Sequence, residues 1–270
     1  PAFRPSGAFP GLTVRLPVTV YNYVNAGVLS AKRHNLPWPC ATRSAGGCPV
    51  EHKANRRCTE GRAWEDYLAF VAANPGVQVP QADTVVGGRG DRRVLLTAMF
   101  PMTGFMVARL MPGKCAQHVA DAFDWMWDSL GPAAFRRLFP ALLKDNGTEF
   151  SNPLAVETSP DDGAPRTKVF YTRPYTATDK SHVERNHEYI RRVVLKGESF
   201  DSLSQGQVDL MMSHVNGYAR ASLMDDDGHP CRTPYERFAF EYGEEIARRL
   251  GIVPIPLREV TLRPELLEVR

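Results

Sequence analysis

A mixed β-sheet covered by helices is the fold this sequence predicts, and three observations predict it. Short alternating or wholly apolar runs occur at 77–86, 93–100 and 105–111, separated by turn-rich loops. Stretches of helical periodicity then alternate with two further short apolar runs before helices close the chain. A hydrophobic content of 43% over 270 residues is ample for one large core or for a domain with a smaller appendage.

Taken in order, residues 1–12 are rich in Pro and Gly and read as irregular. Over 19–29, Val20, Tyr23, Val24 and Val28 fall on one side of a short amphipathic helix. From about 34 to 60, Pro, Gly, Cys and basic residues follow no period, the composition of a linker. A helix over 63–73 stops at Asn74-Pro75-Gly76. The strand 77–86 passes through Gly87-Gly88-Arg89-Gly90-Asp91 to a second at 93–100, and Pro101-Met102-Thr103-Gly104 turns that into a third at 105–111. This is an antiparallel meander. A helix over 116–130, with Val119, Phe123, Met126 and Trp127 inward, precedes another at 133–139. Short strands at 141–145 and 168–171 follow, and helices near 179–195, 204–222 and 233–250 complete the chain.

Composition narrows the function classes. No apolar run reaches the length needed to span a membrane. The start, Pro1-Ala2-Phe3-Arg4-Pro5, lacks the charged-then-apolar layout of a signal peptide, so a cytoplasmic protein is expected. Five cysteines at irregular positions argue against a disulfide framework. Cys40, Cys48, Cys58 and His52 contain no Cys-x-x-Cys pair, which speaks against zinc. Charge is uneven: residues 1–63 hold nine Lys/Arg against two acids, a net +7, while the remainder holds 24 against 28, a net −4. A basic arm ahead of a slightly acidic body suggests a polyanionic partner, nucleic acid first; a solvated basic linker has the same composition.

Three acids stand where a carboxylate looks out of place. Asp83 interrupts the alternating face Val77, Val79, Gln81, Asp83, Val85. Asp145 ends the apolar run Ala141-Leu142-Leu143 and precedes the turn pair Asn146-Gly147. Glu184 opens the helix near 179–195. Each alone has an ordinary reading, as a strand-end cap, a turn former or a solvated first-turn acid. Their joint layout is more telling: two on neighbouring strands and a third on a helix that packs across the sheet. Three converging carboxylates suit hard divalent cations, a recurrent device of phosphodiester chemistry. Positions 184, 187, 188 and 191 share one helical face, with Val183, Ile190 and Val194 on an adjacent apolar stripe. Glu188 is an alternative ligand, His187 reads as a packed polar residue, and Asp91 and Glu149 rank below the trio because they lie on loops. Arg185, Arg191, Arg192 and Lys196 give the helix a positive side suited to phosphates, or simply a solvated one.

The blocks Asp83-Thr84-Val85-Val86-Gly87, Leu95-Leu96-Thr97, Asp145-Asn146-Gly147-Thr148-Glu149-Phe150 and Glu184-Arg185-Asn186-His187-Glu188-Tyr189-Ile190-Arg191-Arg192 resemble bacterial insertion-sequence transposases with a DDE integrase catalytic core. The group is insertion-sequence family thirty, and the resemblance continues through Lys196-Gly197, residues 210–223 and Thr233-Pro234-Tyr235-Glu236, in order over roughly 60–250. It implies a ribonuclease H-like fold, with Asp83, Asp145 and Glu184 as catalytic residues holding two Mg²⁺ or Mn²⁺ ions. It also implies metal-dependent cleavage and strand transfer on double-stranded DNA by a homo-oligomer of at least two copies, in the bacterial cytoplasm at the nucleoid. Lys180, Arg185, Arg191, Arg192, Lys196 and the arm with Arg56 and Arg57 would hold the DNA backbone. The domains implied are a basic arm at 1–63, the catalytic core at 64–200 and a helical extension at 201–270.

Spacings of 62 residues from Asp83 to Asp145 and 39 from Asp145 to Glu184 make the second gap somewhat long, with the polar insert 155–166 expected to loop out at the surface. Asp179-Lys180-Ser181 lacks a glycine that the group has before its glutamate. Only 19–29 resembles the tail of the family's N-terminal helix-turn-helix modules, so a shortened chain is expected. The alternatives are a DNA-binding remnant without catalysis, or a ribonuclease H-like host nuclease acting on RNA–DNA hybrids.

Overall fold

A computed structural model of the chain describes the backbone of residues 56–173, 181–220 and 233–268, and side chains over 58–173, 186–220 and 233–268. The expected helix at 19–29 lies outside them. Two helices come first, α1 (Arg56–Thr59) and α2 (Trp64–Ala73). The meander follows as β1 (Gln81–Val86), β2 (Val94–Phe100) and β3 (Phe105–Met111). Then come α3 (Ala116–Leu130), α4 (Pro132–Leu138), β4 (Leu142–Lys144), a 3-10 turn (Thr148–Phe150), α5 (Pro153–Glu157) and β5 (Val169–Tyr171). Helices α6 (Ser181–Val193), α7 (Gln205–Gly217), α8 (Pro234–Tyr242) and α9 (Glu244–Arg249) end the regular structure, with 3-10 turns at Leu257–Glu259 and Pro264–Leu267.

The five strands form one sheet in the order β3-β2-β1-β4-β5. β1, β2 and β3 pair antiparallel, whereas β4 joins β1, and β5 joins β4, in parallel. Parallel neighbours need a crossover, and α3 with α4 supplies the one between the meander and β4. This is the ribonuclease H-like arrangement, and it follows from strand order and direction. Every residue of β2 is buried, so the middle of the sheet is covered on both faces.

The main core runs from the sheet into α3, α6, α7 and α8. Phe105 stacks on Phe238 with centroids 3.9 Å apart, and Phe100 meets Phe238 edge-on at 5.3 Å. Such ring pairs add about 0.5–1.5 kcal/mol beyond the area they bury. A smaller cluster lies under α2, where Trp64, Tyr67, Phe70 and Val71 pack on Ala141, Leu143 and Phe170.

Three expectations need amendment, the first being the helix expected near 204–222, which ends at Gly217 with Tyr218 in extended backbone. The helix expected over 233–250 is broken at Gly243, whose φ of 94° lies in the region that favours glycine; it caps the end of α8 and the start of α9. The insert 155–166 is no simple surface loop. It begins within α5 and returns as the bridge Thr158–Pro165. It is also pinned inward, because the buried Arg166 guanidinium bonds Asp124 at 2.6 Å and the carbonyls of Ala155 and Val156 at 3.0 and 2.8 Å. Trp127 Nε1 donates to Asp161 from the same side.

Both sheet edges are closed. On β3, the Gln205 amide of α7 accepts from Leu110 N and donates to Ala108 O, and the Asn216 amide accepts from Met106 N and donates to Met106 O. On β5, Val169 N donates to Glu157 Oε1 and Tyr171 N to Arg62 O. Among the described residues, no helix is long and apolar enough to cross a membrane.

Candidate active site

The parallel pairing of β1 with β4 sets Gln81 beside Leu143 and Ala82 beside Lys144. Carried one residue further, the same register sets Asp83 beside Asp145. Matched residues of neighbouring parallel strands sit about 4.8 Å apart at the backbone and project to the same face. Asp145 is one residue past β4, yet its neighbourhood stays in line with β5, since Thr172 N donates to Lys144 O and Asn146 Nδ2 to Thr172 O. The two carboxylates are half-buried. Asp145 Oδ1 accepts from Gly147 N at 2.9 Å, so the Asp-Asn-Gly turn is built on the carboxylate itself. Asp83 Oδ1 accepts from Thr84 N at 2.8 Å.

Across the antiparallel register Asp83 faces Thr97 of β2. The Thr97 hydroxyl donates to the Asp83 carbonyl at 3.1 Å and lies 2.9 Å from His187 Nε2. A hydroxyl has one proton to give, so the second contact is His187 Nε2–H donating to Thr97 Oγ1. This bond fixes α6 against the β1–β2 pair beside Asp83. Residue 184 lies three positions earlier in α6, on the same helical face. The side chain of Glu184 is outside the described residues, as are those of Lys180, Arg185, Arg56 and Arg57.

The remaining expected residues fall around this centre. Arg191 is drawn to the protein: Nη2 donates to Val86 O at 2.6 Å, the guanidinium lies over the Phe200 ring, and burial lowers its pKa. Arg192 is exposed and lies over the rings of Tyr189 and Tyr218 at 5.0 and 5.7 Å, and Lys196 is exposed in the turn after α6. Glu188 is exposed on α6. Asp91 has a loop-building role, accepting from Ser199 Oγ, Phe200 N and Gly88 N. Those bonds, the Ser199 hydroxyl first, hold its carboxyl below the usual range.

Three participants carry little signal in the sequence. Thr97 is fully buried and reads as one more strand residue. Glu149, 2% exposed, accepts from Thr84 Oγ1 at 2.7 Å and pairs with Lys114 at 3.1 Å. Lys144 is fully buried between the rings of Phe150 and Tyr171, with Nζ 5.3 and 5.2 Å from their centroids. Desolvation pushes its pKa down to about 7. Only the odd position of a lysine in an apolar run could have flagged it.

Paired carboxylate oxygens are the donor type that Mg²⁺ and Mn²⁺ prefer, so the Asp83–Asp145 pair fits a hard cation. Among the described residues, no group of three His, Cys, Asp or Glu side chains is placed to hold a metal.

No protein-family model matches the chain, and no curated protein matches it. Among solved structures it is similar to the catalytic core domain of BIV integrase, with 18% identity, 62% of this chain and 96% of that chain covered, and a TM-score of 0.37. It is also similar to the HTLV-2 integrase catalytic core domain in complex with magnesium, in a trimeric form, with 14% identity, 57% and 93% covered, and a TM-score of 0.34.

Proposed function

We propose that the chain is a DDE transposase, a polynucleotidyl transferase that cleaves DNA strands and joins them to a target during movement of an insertion sequence. The observation that carries this reading is the parallel pairing of β1 with β4 up to Ala82 and Lys144, the residues that directly precede Asp83 and Asp145. Two carboxylates held side by side are costly to a fold unless a positive partner meets them. In this reading Asp83 and Asp145 hold one Mg²⁺ or Mn²⁺ ion, and Asp83 with Glu184 a second. Such ions, when bound, activate the attacking water or 3′-hydroxyl and stabilise the leaving oxygen.

The chain's own contribution is positioning and charge. The Thr97–His187 bond supports α6, which carries Glu184, against the strand of Asp83. Arg192 and Lys196 present cations to the phosphate backbone, joined by Lys180, Arg185 and the basic arm with Arg56 and Arg57. Arg191 acts through the end of β1, whose Val86 carbonyl it holds. Residues 64–200 form the catalytic core, 201–270 pack on it, and 1–63 supply a DNA-binding arm. Two element ends must meet, so the working form is a homo-oligomer on double-stranded DNA in the bacterial cytoplasm.

The test is nicking and strand transfer on labelled duplex with Mg²⁺ or Mn²⁺, run beside Asp83→Asn, Asp145→Asn and Glu184→Gln. Metal-dependent products, lost in all three variants while DNA binding persists, are expected. Near-normal cleavage by any variant removes that residue from the metal site. Absence of products from a folded, DNA-binding wild type would make the chain a non-catalytic remnant, and preference for an RNA–DNA hybrid would make it a host nuclease.

A further inference from the structure

A chain of contacts runs from one aspartate to the other through Glu149. Asp145 Oδ1 accepts from Gly147 N at 2.9 Å. The α-carbon of Gly147 lies against the Glu149 carboxylate so closely that an added Cβ would sit 2.5 Å from Glu149 Oε2. Glu149 Oε1 accepts from Thr84 Oγ1 at 2.7 Å, and Thr84 N donates to Asp83 Oδ1 at 2.8 Å. Alternation puts Thr84 on the opposite face of β1 from Asp83, so Glu149 braces the pair from behind. Its burial is tolerated because Lys114 pairs with it from the loop before α3.

We infer that Glu149 is a positioning residue that sets the separation of Asp83 and Asp145 through Thr84 on one side and Gly147 on the other. The inference rests on the proposed metal site. Groups that orient metal ligands from outside typically change metal affinity by about 10- to 100-fold when removed. Two variants approach the brace from its two ends. Thr84→Val keeps the side-chain shape but deletes the hydroxyl that Glu149 holds. Gly147→Ala keeps an allowed backbone, since φ is −61°, but drives a methyl into the Glu149 carboxylate.

Mn²⁺ binding by calorimetry is the primary readout, with melting temperature and DNA affinity measured alongside. Thr84→Val and Gly147→Ala are expected to fold, to bind DNA as wild type does, and to bind Mn²⁺ about 10-fold or more weakly. Thr84→Ser, which restores the hydroxyl, should recover most of that loss. Wild-type Mn²⁺ affinity in both variants would overturn the brace while leaving the metal site standing. A fall in stability without change in Mn²⁺ affinity would reduce Glu149 to a structural residue and overturn it equally. Failure of the wild-type protein itself to bind Mn²⁺, with Asp83→Asn indistinguishable from it, would sink the metal site and the brace together.

Discussion

The outer edge of β3 and the seam between β1 and β4 handle polar groups in opposite ways. At the edge, two neutral amides meet backbone groups donor to acceptor, and the charged partner Asp209 is met by the Gln205 amide and by Arg109 of β3. At the seam, an aspartate follows each of the paired residues Ala82 and Lys144, a lysine is buried between aromatic rings, and the Glu149 carboxylate lies close against Gly147. The edge is built as stability alone would dictate. The seam breaks the local rules in several places at once, and such departures concentrate where a protein does chemistry.

Breaking the seam should abolish activity more than structure. Asp83→Asn and Asp145→Asn are expected to lose strand cleavage in a gel assay while melting near the wild-type temperature. Breaking the edge should do the reverse. Asn216→Leu strands the N–H and C=O of Met106 in a buried setting, where each unmet group costs about 1–3 kcal/mol. A loss of roughly 2–4 kcal/mol in urea unfolding is expected, with residual cleavage tracking the folded fraction.

Lys144 sharpens the contrast. Its pKa falls from 10.5 unfolded to about 7 folded, so between those values the folded chain binds fewer protons than the unfolded one. Stability from this group therefore rises with pH across that window, and the burial penalty is at full size below about 7. Lys144→Met should stabilise the fold by about 2–4 kcal/mol at pH 6 and by much less near pH 10, read as the difference between two chemical-denaturation series. A gain independent of pH would mean the lysine is not desolvated. The smallest effect is expected on the surface of α6 and the turn after it. Arg192→Ala and Lys196→Ala should each weaken duplex binding several-fold and lower the log–log salt slope by about 0.9, as loss of one phosphate contact does.

The elements were legible where signals were local. Residues 105–111 and 116–130 are β3 and α3 because alternation and 3.6-residue periodicity act over neighbours. Asp83 was conspicuous for the same reason, as a charge on an apolar alternation. The break at Gly243 escaped because apolar periodicity runs through it, and only the backbone angle reveals the turn. The insert 155–166 looked like a surface loop by polarity, but its Arg166 finds Asp124 more than forty residues away. Glu149 reads as a loop acid for the same physical reason. Its partners Thr84 and Lys114 are remote in sequence, and no local pattern announces such a pairing.

The closed edges bear on how copies of this chain can meet. A free strand edge is a template on which a second chain can lengthen the sheet, and repeated addition yields fibres. Here α7 occupies the β3 side with side-chain amides, while Glu157 and Arg62 occupy the β5 side. A second copy would have to displace α7 on one side, or Glu157 and Arg62 on the other, before the two sheets could fuse. The sheet therefore offers no ready edge for strand addition, the contact by which such fibres propagate.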